Sequence, residues 1–206
     1  MIDLRSTPWA GRYGVALIDY PWKFETRSPK GMGLKDPSVH YQVAEVPKLA
    51  HLPVSETLAP DCWLFLWVTW PMLAANQHNR LVEAWGDPAN PWVGVTGGAW
   101  AKRPRGWRGD PDKWQFGTGY LFRSASEPLI VYRRGAPASW TSKSERGLWV
   151  APIREHSRKP DEVRAMIDRT VPPCPRLEMF GREPAPGWDA WGNEADKFKK
   201  KPRRKA

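Results

Sequence analysis

Cysteine is almost absent from this sequence: Cys62 and Cys174 are the only two among 206 residues. Two thiols cannot build a disulfide framework, and neither lies at a metal-ligand spacing, so a reducing compartment and no metal site are expected. Long apolar runs are also lacking. With 41% hydrophobic residues and every such run under ten residues long, a membrane-spanning helix is excluded. No basic segment followed by an apolar stretch opens the chain, so no secretory signal is expected. Acidic residues are outnumbered, 22 Asp+Glu against 32 Lys+Arg, for a formal charge of +10. What the chain has in excess is Trp, 14 residues, and Pro, 22 residues. That pattern implies a loop-rich surface around a compact core, and the length suits one domain over residues 1–195.

The charge is concentrated. Residues 196–206 (DKFKKKPRRKA) carry seven Lys/Arg and one Asp, a net +6, leaving +4 for the rest. Such a segment cannot bury enough apolar surface to offset its ordering entropy and is expected to be disordered. It is either a solubilising tail or a phosphate-binding arm whose affinity falls with salt. A second cluster, residues 102–114 (KRPRGWRGDPDKW), interleaves five Lys/Arg with Trp107 and Trp114. It reads as an ordinary solvated loop or as a surface that tracks a nucleic-acid backbone and stacks on bases.

Apolar runs order the rest. Tyr13–Asp19 (YGVALID) predicts a buried strand ending on a carboxylate, and residues 23–45 a long loop. Pro47 opens a short helix through Leu52. Residues 62–68 (CWLFLWV) predict a central parallel strand buried on both faces. A helix is expected from Pro71 to about Trp85, closed by Gly86. Further strands are read at 92–101, weakened by Gly94, Gly97 and Gly98, at 128–133 and at 148–151. An amphipathic helix over 161–171, with Val163, Met166, Ile167 and Thr170 on one face, precedes a last strand at 176–181. Alternating strands and helices predict an α/β fold, a mostly parallel sheet with helices on both faces.

In such sheets ligands lie beyond the carboxyl ends of the strands, so residues just after each apolar run matter most. Asp19, the Tyr20 carbonyl, Pro21 and Trp22 form a receptor for a planar group bearing an amine: two acceptors for its N–H groups and a plate for its ring. The competing reading is a simple Asp-X-Pro turn. In RLEMFGR (176–182), Gly181 permits close backbone approach, Glu178 can meet polar groups and Arg182 can reach a hydroxyl or carboxylate. In REHSRKPDE (154–162), Lys159 beside a helix start offers an anion site; otherwise it is a charged turn capped by Ser157 or Asp161. In GWDAWGNE (187–194), Asn193 and Glu194 can hold vicinal hydroxyls, or the segment is an edge that packs two Trp.

The order DYPW, HYQV, LFLWVT, RSASE, REHSRKPDE, LEMFGR and WDAWGNE closely resembles the MT-A70 family of adenine N(6)-methyltransferases, especially its compact bacterial and phage members. The resemblance covers roughly residues 12–195. It implies a Rossmann-like, S-adenosylmethionine-dependent methyltransferase fold of permuted motif order, with the catalytic motif ahead of the cofactor strand. Carried over, Asp19, Tyr20, Pro21 and Trp22 hold the target amine. Tyr41 belongs to a loop closing over the site, and Lys102 and Glu127 lie near the target base. Lys159 reaches the cofactor's methionine carboxylate, with Asp19, Glu178, Phe180 and Gly181 beside the cofactor and Arg182, Asn193 and Glu194 around its ribose. Asp3 is a candidate for the acidic residue contacting the cofactor adenine. The family's usual Pro is replaced by Tyr20, a position that contributes chiefly its carbonyl.

The implied activity is methyl transfer from S-adenosylmethionine to the N6 amine of adenine, in DNA more than RNA, without a metal. Loop 102–114 and tail 196–206 would grip the nucleic acid. The expected protein is a monomer or weak dimer in the cytoplasm of a bacterial or phage-infected cell, with no membrane contact. A silent nucleic-acid-binding module of the same fold is the alternative; such modules lose the Asp or the aromatic of the motif, and Asp19 and Trp22 are both present. Cytosine N(4) or a protein amide as acceptor ranks lower, since Ser or Asn at position 19 would mark those.

Overall fold

The computed structural model describes residues 11–20, 46–117, 121–155 and 158–195. Among them, one seven-stranded sheet is built from β1 (Tyr13–Asp19), β2 (Leu58–Trp67), β3 (Val93–Arg103), β4 (Ser126–Arg134), β5 (Leu148–Pro152), β6 (Arg176–Met179) and β7 (Asp189–Trp191). The spatial order is β5-β3-β4-β2-β1-β6-β7. β1 lies in the interior of the sheet, between β2 and β6, and is apolar on both faces: Val15, Ala16, Leu17 and Ile18 are all buried. It pairs parallel to β2, Asp19 opposite Trp67, and parallel to β6, Ile18 opposite Met179.

The sequence predicts β2 as a central parallel strand; it is central, but only one of its two pairings is parallel. β2 is parallel to β1 but antiparallel to β4, Trp67 opposite Leu129. The reason is the connection: β3 and β4 form an antiparallel pair, Trp100 opposite Glu127, joined across the basic loop. β4 therefore runs against the other six strands. The start of β4 and the carboxyl ends of β1, β2, β3, β5, β6 and β7 share one edge of the sheet, the edge where the candidate residues fall.

Helices cover both faces. On one face lie α1 (Val46–Ala50), α2 (Val54–Thr57), α3 (Trp70–Ala74) and α4 (Gln77–Ala84), which contribute Leu49, Val54, Leu81 and Val82 to a core with Ile18, Leu64 and Leu66. On the other lies α5 (Asp161–Thr170), whose Val163, Met166 and Ile167 pack on Val15, Leu17, Phe65 and Trp67. The single helix expected from Pro71 to Trp85 is broken instead. Asn76 sits in the left-handed region at φ 54°, where its short polar side chain is tolerated, and accepts a hydrogen bond from Asn79 Nδ2 at 2.6 Å. The strand β7 falls in the segment 187–194 read as an edge that packs two Trp: it lies at the sheet edge with Trp188 and Trp191 buried, pairs parallel to β6 and is tied to β1 by Tyr13 Oη donating to Asp189 at 2.6 Å.

The glycines of β3 do not weaken it; they admit neighbours. A Cβ on Gly98 would lie 2.6 Å from the Gly147 carbonyl and 2.7 Å from the Trp149 ring. Gly98→Val is therefore expected to overfill the β3–β5 contact and cost about 1–3 kcal/mol, read as a lower urea midpoint. An unchanged midpoint would contradict this packing.

Candidate functional site

Four charged residues from four segments meet at the sheet edge. Asp19 ends β1, Lys102 lies near the end of β3, Glu127 near the start of β4, and Lys159 in the turn before α5. Lys159 Nζ donates to Asp19 Oδ1 at 2.7 Å and pairs with Glu127 Oε1 at 3.0 Å. Lys102 Nζ closes the row on Glu127 Oε2 at 2.8 Å. The signs alternate, Asp19–Lys159–Glu127–Lys102, and the row is neutral. Its side chains are 10–22% exposed, so solvent screens it little.

This burial sets the protonation behaviour. Desolvation pushes the Asp19 carboxyl up, opposed by Lys159 and reinforced by Glu127. Desolvation also acts on Glu127, but Lys102 and Lys159 together outweigh it and hold that carboxyl at about 2. For Lys159, burial disfavours the ammonium, while Asp19 and Glu127 overcome it and raise the pKa above its ordinary value. At neutral pH the central pair of the row is thus Lys159 as a cation and Glu127 as an anion.

A shallow cleft, open to solvent, lies beside this row and is lined by Asp19, Lys159, Phe180, Gly181, Arg182 and Glu183. The turn after β6 shapes it. Phe180 takes φ 64°, unusual for a bulky residue, and is fixed by its N–H donating to the Trp191 carbonyl at 2.6 Å. Its ring packs 5.1 Å from Tyr20 and 5.2 Å from Trp191. A Cβ on Gly181 would lie 2.7 Å from the Glu178 carboxyl carbon, so only glycine lets the turn cross over that carboxylate. Glu178 is pushed up by desolvation and held by Arg164 Nη1 at 2.7 Å. Arg182 Nε pairs with Glu194 Oε2 at 3.1 Å, and Asn193 is exposed beside it.

The structure therefore gathers Asp19, Lys102, Glu127 and Lys159 into one row, and Glu178, Phe180, Gly181, Arg182 and Glu194 around the adjoining turn. Pro21, Trp22, Tyr41, Asp3 and the tail 196–206 lie outside the described residues. Tyr20 is buried, 3% exposed, its ring 5.1 Å from both Trp85 and Phe180. The reading of Lys159 beside a helix start is refined: the α5 N-cap is Pro160 without a side-chain cap, and Lys159 faces two carboxylates. Missed by the sequence were Arg158, Arg164 and Glu183. Arg158 Nε donates to Glu183 at 3.0 Å, and Arg164 holds both Glu178 and Glu183. The spacing of Asp161 and Arg164, one turn apart on α5, was the only signal available for these contacts.

Loop 102–114 also departs from a row of free cations. Lys102 belongs to the charged row, and Arg103 is buried at 6% exposure. Arg105, Arg108 and Lys113 are exposed, with Lys113 3.1 Å from Asp110.

A mostly parallel seven-stranded sheet with helices on both faces, and a carboxylate at the carboxyl end of β1, is a Rossmann-like methyltransferase fold. The MT-A70 family model matches residues 13–194, and the chain belongs to that family. Among curated relatives, it is 29% identical to the N(6)-adenosine-methyltransferase subunit METTL3 of Danio rerio over 189 residues, 90% of this chain and 28% of the relative. It is 27% identical to the type II methyltransferase M.MunI of a Mycoplasma species, over 89% of this chain and 78% of that protein. It is also 27% identical to the human N(6)-adenine-specific methyltransferase METTL4, over 90% of this chain and 38% of the relative. The chain thus spans under a third of METTL3 but most of M.MunI.

The row predicts a pH signature. Glu127 is held below its ordinary 4.5, so it contributes stability that is present above pH 4.5 and lost as pH falls toward 2. Glu127→Gln is expected to lower the urea midpoint at pH 7. The wild-type advantage should shrink at about pH 3.5. A gap that does not change with pH would show that Glu127 is not held by the two lysines.

Proposed function

We propose that this protein transfers a methyl group from S-adenosylmethionine to the exocyclic N6 amine of adenine in nucleic acid, DNA rather than RNA. The observation that carries this reading is Asp19 at the carboxyl end of β1, half-buried and ion-paired to Lys159 beside a cleft. The similarity to a type II methyltransferase, over 78% of that protein, supports DNA.

The cleft fits the cofactor in three respects. Gly181 keeps its floor free of a side chain, Lys159 offers a cation for a carboxylate, and the Arg182–Glu194 pair offers acceptors and donors for hydroxyls. Lys159, Phe180, Gly181, Arg182, Asn193 and Glu194 are the residues that would hold it. When bound, S-adenosylmethionine supplies an electrophilic methyl group on a sulfonium. The protein's part is to make a weak nucleophile reactive. The adenine amine is planar and conjugated with its ring; accepting its N–H groups at Asp19 and at the Tyr20 carbonyl favours a pyramidal nitrogen with a localised lone pair. Lys159 occupies Asp19 Oδ1, so Oδ2 is the oxygen that accepts from the amine. Lys159 also opposes the upward push of burial and favours Asp19 as an acceptor rather than an acid. Trp22 stacks on the base. Positioning and electrostatics supply the rate, and a base within a duplex must be flipped out to reach the site.

The test is incubation with labelled S-adenosylmethionine and unmethylated DNA or RNA, followed by nucleoside analysis. Labelled N6-methyladenine is expected; a protein that binds cofactor yet labels neither polymer would be a silent binding module instead. Asp19→Ala should reduce turnover at least about 10²-fold, a loss larger than the lower thermal midpoint expected from breaking the row can explain. Full activity in that variant would reject the site. For the tail, removal of residues 197–206 is expected to weaken nucleic-acid affinity and flatten its salt dependence, and an unchanged slope would mean a solubilising role.

A further inference from the structure

Arg103 is buried within the basic loop. Its Nη1 donates to the carbonyls of Pro111 at 2.8 Å and Lys113 at 2.7 Å, with a longer contact to that of Asp110 at 3.3 Å. Its guanidinium carbon lies 3.5 Å from the Trp114 ring centroid and 4.9 Å from that of Trp107. Trp107 donates to the same Asp110 carbonyl at 2.7 Å. The main chain closes the loop at its far end, with Gln115 N–H donating to the Lys102 carbonyl at 2.9 Å. Loop 104–114 is thus wound on one guanidinium. Lys could not replace it, since an ammonium has no planar face to lie against an indole.

The winding has a consequence at the surface. Trp114 is stacked on Arg103 yet remains 45% exposed, with Arg105, Arg108 and Lys113 exposed around it. An indole held on its inner side and open on the other, among cations, matches the chemistry of an unpaired nucleobase flanked by phosphates. The platform follows directly on Lys102, which belongs to the charged row that contains Asp19.

We infer that Trp114 is a stacking platform for an unpaired base near the target adenine, and that Arg103 is the residue that positions it. This rests on the nucleic-acid reading given above. Arg105, Arg108 and Lys113 supply the phosphate contacts, and Trp114 supplies contact with the base.

The experiment measures affinity for a labelled single-stranded oligonucleotide containing adenine, at several salt concentrations, together with affinity for S-adenosylhomocysteine. Trp114→Leu is expected to bind the oligonucleotide about 10-fold more weakly, and Trp114→Phe to stay near wild type. Arg103→Lys, which keeps the charge, should lose as much as Trp114→Leu, and the double variant no more than either. Both single variants should keep the wild-type salt slope and cofactor affinity, whereas Arg108→Ala should reduce the slope by about 1. In turnover, KM for the oligonucleotide should rise with kcat retained. Wild-type affinity in Trp114→Leu would overturn the inference, and so would losses that multiply in the double variant. Should Arg103→Lys lose cofactor binding, it reports on folding and Trp114→Leu decides. A wild-type protein that methylates nucleic acid while Trp114→Leu is indistinguishable from it defeats this inference alone. A wild-type protein that neither binds nor methylates nucleic acid defeats the proposed function with it.

Discussion

The pairing of Lys159 with two carboxylates constrains the rest of the molecule. A lone buried ion is expensive, and removing one partner of a buried pair leaves the other uncompensated. Asp19, Lys159, Glu127 and Lys102 avoid this only as a complete row, and each comes from a different segment. The sheet must therefore hold β1, β3, β4 and the turn before α5 in fixed register. The reversed direction of β4, set by its antiparallel pairing with β3, serves the same row. Run parallel to its neighbours, β4 would bring its last residues to this edge, and Glu127 would lie at the opposite end.

The turn after β6 shows a different constraint. Phe180 in a left-handed conformation is a costly local choice, and Gly181 passes close over a buried carboxylate. They persist because the surroundings fix them: Trp191 accepts the Phe180 N–H, Tyr20 and Trp191 pack on its ring, and Arg164 neutralises Glu178 from α5. Tyr20 acquires a second purpose here. Its buried ring joins the end of β1 to the β6 turn and to Trp85.

Those parts of the fold that rest on local pattern were legible in the sequence. β1 occupies the predicted span because an apolar run ends on a carboxylate, and α5 buries the four residues that its period marks. What was not legible depends on long-range geometry. The direction of β4 is set by its pairing with β3, which an apolar run cannot encode. The break at Asn76 is a single left-handed residue inside an otherwise helical stretch. At the site, the acidic and basic residues could be read individually, but their pairing could not. Lys102, Arg103 and Lys113 look alike in a basic loop; one joins the charged row, one is buried under indoles and one is exposed.

That same distinction accounts for the abundance of tryptophan. A protein with many prolines and short helices has few regular hydrogen-bond ladders to fix its loops. Indoles can do both jobs, filling core volume and donating one N–H to a neighbouring segment. Trp85 donates to the Leu49 carbonyl at 2.9 Å, Trp100 to that of Ala151 at 2.9 Å and Trp63 to that of Ala138 at 3.0 Å. Trp188 donates to Asp168 at 3.0 Å, and Trp70 to Ser126 at 3.0 Å, just ahead of Glu127. Trp92 lies against the buried Arg134 at 5.0 Å, and Trp140 packs on Trp63 and Phe65. Trp107 and Trp114 extend the principle to the surface, where the segment being held is the basic loop itself. Tryptophan is frequent in this chain because so many of its connections must be held from the side, and the loop that faces the proposed substrate is held by the same means as the core.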